Sequence, residues 1–226
     1  MARGLGLNEP LNYTMCIFFQ VGNVRVRVNE PSRSEKKKAY LVNCALDVLR
    51  SGRGMGDFSM EAVARAAGVT RLTVYNHFGS RRGLLEALMA EMSHQGRLES
   101  LEELPAVDDA WRALDLLVER FMLFWASDSA LAHLTDAAES DPDLADALQD
   151  QYRLGRRIIR SIIERVMAGN PERDRQEAED IIRTLVLFPT YRALAPSRTP
   201  RQVAALIKPL CRSAITMRLA DGTAAV

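Results

Sequence analysis

Apolar side chains recur every three to four positions from residue 33 onward, which is the period of an α-helix that buries one face. The pattern predicts a first helix over 33–50, followed by two short helices and a longer one that ends near residue 95. Later helices are predicted at about 106–126, 129–139, 142–168, 174–195 and 200–219. Because no strand is predicted past residue 31, the expected fold class is all-α.

Capping residues mark several of these helix boundaries. Asp141 and Thr199 each precede a proline, an arrangement that suits the N-cap and the first turn of a helix. The sequence Gly169-Asn170-Pro171 is expected to end a helix. Two prolines fall inside predicted helices and are expected to kink them, namely Pro189 and Pro209.

The segment 58–78 contains two short predicted helices joined by a sharp turn. Ser59 is placed to cap the first helix and Thr70 the second, while Gly68 stands at the turn, where a positive φ is favoured. Ala64 is small enough to let the two helices cross in close contact. Their shared apolar core is predicted to consist of Val63, Val69 and Val74. This spacing is that of a helix-turn-helix, although a tight helical hairpin can carry the same residues.

The second short helix has a polar outer face when Val74 and Phe78 point inward. Its outward residues are Thr70, Arg71, Leu72, Thr73 and Asn76. In a helix-turn-helix, the N-terminal residues of this helix contact base edges in the major groove of DNA. Arg71 could contact guanine O6 and N7, and Thr73 could contact a thymine methyl group or a phosphate. Groups suited to phosphate contacts follow at Tyr75, His77, Arg81 and Arg82.

With its flanking residues, this segment resembles the DNA-binding domain of the tetracycline-repressor (TetR) family. The matching stretches are Ser59, Val63-Ala64, Ala67-Gly68-Val69-Thr70, Thr73-Val74-Tyr75-Asn76-His77-Phe78 and Gly79-Ser80-Arg81-Arg82-Gly83-Leu84-Leu85. The resemblance implies that Arg71, Leu72 and Thr73 face bases. It implies phosphate contacts for Ser59, Tyr75, His77 and Arg81. The chain departs from the family in a longer loop at 51–57 and in Arg81, which stands where lysine is more common.

The resemblance also implies a helical C-terminal domain that dimerises and binds an effector. Aromatic residues at helical spacing, with polar residues nearby, are candidates for the lining of an apolar ligand cavity. A stripe of aromatic residues at this spacing is, however, more often part of the hydrophobic core. The candidate ligand-binding residues are Trp111, Phe121, Phe124, Trp125, His133 and Tyr152. The last two helices of two copies are expected to form a four-helix homodimer interface. Its apolar residues are predicted to be Ile181, Leu185, Phe188, Val203, Leu206, Leu210 and Ile215.

Charge is unevenly distributed along the chain. Residues 32–97 hold 11 Lys and Arg against 6 Asp and Glu, whereas residues 98–226 hold 16 against 21. A basic N-terminal part suits a polyanion. We therefore expect a DNA-binding domain with its linker helix at 32–97 and an effector-binding and dimerisation domain at 98–226. Residues 1–31, strand-like over 16–28, are expected to be a flexible extension, either a basic arm along DNA or residues upstream of the true start.

Several other classes of protein are disfavoured by the sequence. Cys16, Cys44 and Cys211 are too few and too widely spaced for a disulfide framework, which indicates a reducing compartment. No apolar run approaches the roughly 18 residues of a membrane span, so a cytoplasmic location is expected. The three histidines lie far apart, and neither a metal site nor a cofactor is predicted. The sequence contains no phosphate-binding loop and no nucleophile motif, either of which would indicate an enzyme.

The sequence therefore predicts a sequence-specific transcriptional regulator. We expect a repressor that binds a palindromic DNA operator as a dimer and is released by a small-molecule effector. An activator or a regulator without an effector is a second possibility, and a small all-α enzyme or carrier without DNA binding is a third. The residues do not identify the effector or the operator sequence.

Overall fold

A computed structural model describes residues 32–51, 55–138 and 140–223. Within those ranges the chain forms α-helices joined by turns and short 3-10 segments, which confirms the all-α prediction. The helices are α1 (Arg33–Ser51), α2 (Met60–Ala66), α3 (Arg71–Phe78), α4 (Arg81–Gln95), α5 (Ala110–Ser127), α6 (Ala130–Ala137), α7 (Pro142–Val166), α8 (Glu172–Val186), α9 (Phe188–Leu194) and α10 (Pro200–Thr223). The predictions for residues 1–31 and for part of the loop 51–57 lie outside the described residues.

Helix α1 holds the N-terminal helices together by packing against α2 and α4. Leu41, Ala45 and Leu49 recur every fourth position and are fully buried, as expected for the inner stripe of an amphipathic helix. The opposite face begins with exposed, mostly charged residues at 33–38. Burial of one stripe therefore fixes α1 and leaves its basic N-terminal turns in solvent.

Helices α2 and α3 are joined by the sharp turn that the sequence predicts. Ser59 Oγ and Thr70 Oγ1 each accept a hydrogen bond from the backbone N–H three residues on, at 3.1 and 3.2 Å, and so cap the two helices. Gly68 has a φ of +65°, which side chains with a Cβ rarely adopt. Val63 and Val74 are fully buried in the shared core. The helix-turn-helix geometry therefore follows from local chemistry.

Helix α4 begins directly behind the C-terminal end of α3, and Gly83 allows the two to meet. Ser80 caps α4 by accepting a hydrogen bond from the Gly83 N–H at 3.0 Å. A Cβ on Gly83 would lie 2.1 Å from the carbonyl oxygen of Phe78. Because that oxygen belongs to the backbone, it cannot rotate away. The missing side chain therefore sets the distance between α3 and α4.

The C-terminal helices pack around α5, α7, α8 and α10. Helix α10 contacts α5 and α8, and α7 contacts both α5 and α4, so the core continues from the N-terminal helices into the C-terminal ones. Arg165, near the end of α7, donates hydrogen bonds to the backbone carbonyls of Pro105, Val107 and Asp108 at 2.5–3.0 Å. This side chain joins the end of α7 to the segment that leads into α5.

The helix predicted over 106–126 begins later than expected, at Ala110. Asp109 is its N-cap and accepts a hydrogen bond from the first turn at 2.9 Å. The segment Leu98–Ala106, which precedes α5, forms a 3-10 helix. The search for apolar residues at the α-helical period of 3.6 residues did not predict this segment. Its buried residues recur every third position, which is the period of a 3-10 helix. They are Leu98, Leu101 and Leu104.

The helix predicted over 174–195 is in fact two helices, α8 and α9. The backbone is extended at Leu187, and Pro189 stands in the first turn of α9. The expected kink is therefore a break. Trp125 of α5 stabilises this break, because its Nε1–H donates to the carbonyl oxygen of Val186 at 2.8 Å, at the end of α8. Helix α10, in contrast, continues through its internal Pro209.

Candidate functional site

The outer face of α3 carries the residues predicted to contact DNA. Leu72 is apolar and yet 68% exposed, and it is flanked by exposed Arg71 and partly exposed Thr73. Asn76 is also exposed, one turn further along, while Val74 on the inner side is fully buried. The N-terminal part of α3 thus presents a cation, an apolar side chain and a hydroxyl group to solvent, and residues 70–78 contain no carboxylate.

Arg71 and Tyr75 form a pair one turn apart on α3. Arg71 Nη2 donates to the Tyr75 hydroxyl at 3.1 Å, and the guanidinium carbon lies 5.2 Å from the Tyr75 ring centroid. This stacked arrangement restricts the rotamers of an otherwise flexible side chain. Tyr75, predicted as a phosphate contact, is therefore also placed to position Arg71.

The remaining predicted contacts lie around these residues. Ser59 and Thr70 are exposed at the first turns of α2 and α3, although both hydroxyls also serve as caps. His77 is partly exposed at the end of α3, with its ring centroid 6.4 Å from that of Phe78. Free N–H groups at helix N-termini favour anions, so the first turn of α3 is compatible with a phosphate.

Helix α1 contributes a cation that the helix-turn-helix pattern did not single out. Lys38 Nζ lies 5.8 Å from the ring centroid of Phe78, beside the C-terminal end of α3. Lys36 and Lys37 are exposed in the preceding turn. The run of three lysines is visible in the sequence and could have indicated a further DNA contact. That the end of this run lies next to α3 is shown only by the packing of α1.

Arg81 is placed differently from its predicted role. Its Nη2 lies 2.5 Å from Asp141 Oδ2 and its Nη1 lies 3.4 Å from Asp143 Oδ2, at the start of α7. The neighbouring Arg82 lies 2.8 Å from Asp146 in the same region. The two arginines therefore link the start of α4 to the start of α7. The predicted phosphate contact of Arg81 would require both of its ion pairs to break.

The Arg81–Asp141 pair predicts acid sensitivity. The hydrogen bond from Arg81 lowers the pKa of Asp141, an effect that burial only partly opposes. A lowered pKa in the folded state contributes stability above the unfolded pKa of about 3.9, and this stability is lost as the pH falls below it. Asp141→Asn, which keeps a side-chain acceptor for the α7 cap, should lower the free energy of unfolding at pH 7 by about 1 kcal/mol.

Urea denaturation at a series of pH values measures this effect. Below about pH 4, the wild type should lose stability more steeply with falling pH than Asp141→Asn. Asp108→Asn is the matched control, because Asp108 is exposed and no hydrogen bond of its carboxylate is described. Parallel pH profiles for the wild type and Asp141→Asn would contradict the prediction.

A cavity of about 490 Å³ lies between α4, α5, α6, α7 and α8, within the usual size range of small-molecule sites. Four of the predicted ligand-binding residues line it, namely Phe121, Phe124, Trp125 and Tyr152. Partial burial raises the pKa of Tyr152. Met89 brings α4 into the wall as well. The cavity therefore borders α4, the helix that follows α3.

Two of the predicted ligand-binding residues, Trp111 and His133, lie outside the lining of this cavity. Trp111 stands at the start of α5, where the Arg212 guanidinium carbon lies 5.1 Å from its ring centroid. His133 is on α6, whose lining residues are Leu131, Leu134 and Thr135. These three residues lie on one face of α6, and His133 lies on a different face of the same helix.

The predicted dimer residues divide into an exposed and a buried set. Ile181 of α8 and Leu206 and Leu210 of α10 are exposed, with fractions of 36, 44 and 53%. Leu185 is partly exposed. The prediction of one apolar surface was wrong for three residues, because the core of the single chain buries them: Phe188, Val203 and Ile215.

The buried contact of α2 with α3 and the exposed face of α3 define a helix-turn-helix protein. Residues 48–88 match the family model described as bacterial regulatory proteins, tetR family. Over 83 residues the chain is 30% identical to the HTH-type transcriptional regulator SrpR of Pseudomonas putida, covering 37% of this chain and 38% of SrpR. The helix-turn-helix of this chain is therefore similar to that of the tetR family.

The alignments to the curated relatives span 38–60% of those proteins' own length. Solved structures cover more of the chain. FadR of Bacillus subtilis, in complex with stearoyl-CoA, is 19% identical with a TM-score of 0.65, over 78% of this chain and 98% of FadR. NalD of Pseudomonas aeruginosa, the secondary repressor of the MexAB-OprM multidrug efflux pump, is 20% identical with a TM-score of 0.62, over 81% and 97%. At these identities the likeness concerns the fold.

Two further findings concern the described part of the chain. None of its helices has the length and apolar character needed to cross a membrane. In the same residues, no three His, Cys, Asp or Glu side chains are grouped so that they could hold a metal ion.

Proposed function

We propose that the chain is a homodimeric transcriptional repressor that binds a palindromic DNA operator and leaves it when a small molecule occupies the cavity. The observation that carries this proposal is the exposed face of α3, where Arg71, Leu72 and Thr73 project from a helix whose other side is buried. A helix held in this way fits the major groove. The role of NalD as a repressor supports repression as the output.

The proposed DNA contacts fall into two groups. Arg71, Leu72 and Thr73 contact bases, with Arg71 directed by its stacking on Tyr75. Phosphates are contacted by the polar groups around α2 and α3 and by the lysine of α1, since such contacts orient a protein on DNA without reading its sequence. This second group is Ser59, Thr70, Tyr75, Asn76, His77 and Lys38.

The homodimer is proposed to form through α8 and α10. Ile181, Leu206 and Leu210 expose apolar side chains on two helices that pack against each other. Met217 extends the exposed stripe along α10. Two copies related by a two-fold axis would bury both stripes in a four-helix bundle. That symmetry would present two copies of α3 to the two half-sites of a palindrome.

The cavity is proposed to control DNA binding through α4. Met89 of α4 lines the cavity, and Arg81 at the start of the same helix is paired with Asp141 of α7. A ligand that shifts α4 or α7 would move α3 with them, because Gly83 holds α3 and α4 in close contact. Such a ligand favours a conformation in which the two α3 helices no longer match the half-sites. The stearoyl-CoA in the FadR structure supports a small-molecule effector here too.

The proposal is tested by selecting DNA sequences with the purified full chain and measuring affinity against salt. The wild type should select a palindrome, and its affinity should fall steeply as salt rises. Arg71→Ala should cost about 1–3 kcal/mol and relax the preference at one base pair of each half-site. Tyr75→Phe should relax the same position more weakly, because it removes the hydroxyl that holds Arg71.

Arg65→Ala is the matched control for this experiment. Arg65 is exposed on α2 and forms an ion pair with Glu61 at 3.0 Å, so the change removes the same charge outside α3. The control should keep the base preference. A purified chain that binds neither a selected sequence nor bulk DNA at low salt would refute the proposed function.

A further inference from the structure

The N-terminal part of α7 holds the two arginines at the start of α4. Arg81 Nη1 and Nη2 donate to the two carboxylate oxygens of Asp141 at 3.0 and 2.5 Å. Arg81 Nη1 also lies 3.4 Å from Asp143 Oδ2. Arg82 Nη1 donates to Asp146 at 2.8 Å, one turn further along α7. Both guanidinium groups are therefore directed at carboxylates of α7.

Arg81 and Arg82 follow α3 after a very short turn. Phe78 ends α3, and only Gly79 and Ser80 separate it from α4. A hydrogen bond of 2.8 Å from the Ser80 N–H to the Phe78 carbonyl oxygen tightens this turn. The start of α4 therefore stays next to the end of α3, and the two arginines stay beside the helix that is proposed to enter the major groove.

The dimensions of DNA place this turn near phosphates. Helix α3 has eight residues, which corresponds to a length of about 12 Å. The major groove is about 8.5 Å deep, so a helix of this length whose first turn reaches the bases ends near the rim of the groove, where the phosphates lie. Guanidinium groups at that end suit phosphate contacts, because the arginine fork matches the geometry of a phosphate.

A phosphate and the carboxylates of α7 compete for the same guanidinium groups. Asp141 occupies both Nη atoms of Arg81 in a two-pronged contact, which is the geometry in which arginine also binds phosphate. The side chains of Arg81 and Asp141 are 28 and 18% exposed, so water and salt screen their attraction only in part. Contact between Arg81 and DNA therefore requires that its ion pairs with α7 open.

We propose, on the basis of the DNA binding through α3 proposed above, that Arg81 and Arg82 form a phosphate-binding site that α7 masks. Asp141, Asp143 and Asp146 are the masking groups, and they compete with DNA for the two arginines. In the described conformation this site is closed, so the chain binds DNA with less than its full affinity. A movement of α7 away from α4 opens the site and adds phosphate contacts without changing which bases are read.

A purely structural role for these ion pairs predicts the opposite result. If the ion pairs only hold α4 in place, and α3 with it, their removal lowers the affinity for DNA. If they mask a phosphate-binding site, their removal raises the affinity, because the freed arginines gain phosphate contacts. The sign of the change in affinity therefore separates the two roles.

A double-mutant cycle on the DNA affinity of the full chain tests the proposal. Asp141→Asn should raise the affinity for the selected operator and for bulk DNA alike by about tenfold, since one charge-assisted contact is worth about that factor. Arg81→Gln alone should change the affinity by less than about threefold, because the masked arginine contributes little. In the Asp141→Asn background, Arg81→Gln should lower the affinity about tenfold.

Asp146→Asn is a second variant, which leaves the N-cap of α7 intact. It frees Arg82 from α7, but Glu86 still accepts a hydrogen bond from Arg82 Nε at 2.8 Å. The gain in affinity should therefore be smaller than that in Asp141→Asn. Asp108→Asn is the matched control, because it also removes one carboxylate, at an exposed residue for which no ion pair is described. Its affinity for DNA should stay close to that of the wild type.

The masked site is overturned by any of three results: an unchanged or lower affinity in Asp141→Asn, an equal gain in Asp108→Asn, or additive effects of Asp141→Asn and Arg81→Gln. If neither the wild type nor any variant binds DNA at low salt, the proposed function is refuted together with the masked site. If the wild type binds its selected operator and the variants bind it equally well, the masked site alone is refuted and the regulator is left intact.

Discussion

Replacing Gly83 by alanine is expected to cost about 1–3 kcal/mol of unfolding free energy, the usual cost of forcing a methyl group into filled space. The new Cβ would lie 2.1 Å from the Phe78 carbonyl oxygen, so α3 must move away from α4. A shifted α3 no longer matches the major groove, and affinity for the selected operator should fall about tenfold or more. Thermal denaturation and a DNA-binding titration measure the two effects.

Gly56→Ala is the matched control for Gly83→Ala. A Cβ on Gly56 has no heavy atom within 4 Å, and Gly56 does not have a positive φ. The same chemical change at this position should therefore leave both stability and DNA binding close to those of the wild type. Wild-type affinity in Gly83→Ala would show that the close approach of α3 and α4 does not position α3.

Replacing Trp125 by alanine should have the largest effect on stability, about 3–5 kcal/mol. The indole ring is buried against Phe124 and Phe188, with ring centroids 4.9 and 5.5 Å away. Its removal also leaves the carbonyl of Val186 without its hydrogen bond at the break between α8 and α9. Urea denaturation followed by far-UV circular dichroism measures the loss.

Two further variants show which part of Trp125 matters. Trp125→Phe keeps most of the ring and removes the donor, so it should cost about 1–2 kcal/mol. Trp111→Ala removes an indole that is only partly buried, beneath Arg212, and it should cost clearly less than Trp125→Ala. Equal losses at the two tryptophans would mean that Trp125 does not hold the α8–α9 break.

The helix starts could be predicted from the sequence because short-range chemistry determines them. Ser59, Thr70 and Asp141 each bond a backbone N–H within three residues of themselves. The break at Leu187 could not be predicted in the same way. The apolar period continues through the break, and the indole that stabilises it, that of Trp125, lies 61 residues before its acceptor Val186.

The candidate site shows the same division between local and distant interactions. The outer face of α3 follows from helical periodicity once Val74 is known to point inward. The ion pair of Arg81 could not be predicted from periodicity, because its partner Asp141 lies 60 residues away in the chain. The two side chains meet only when α4 packs on α7. Helical periodicity also predicted the aromatic residues that line the cavity, but not the arginines that line it, which come from both α7 and α8.

The apolar stripe of Ile181, Leu206 and Leu210 would also determine how steeply a promoter responds to the amount of this protein. If two chains must associate before they bind DNA, the active species grows with the square of the monomer concentration while monomers predominate. Doubling synthesis then raises the dimer about fourfold. Dilution during growth lowers it equally steeply, so the controlled gene would switch on at a threshold of protein concentration even without an effector.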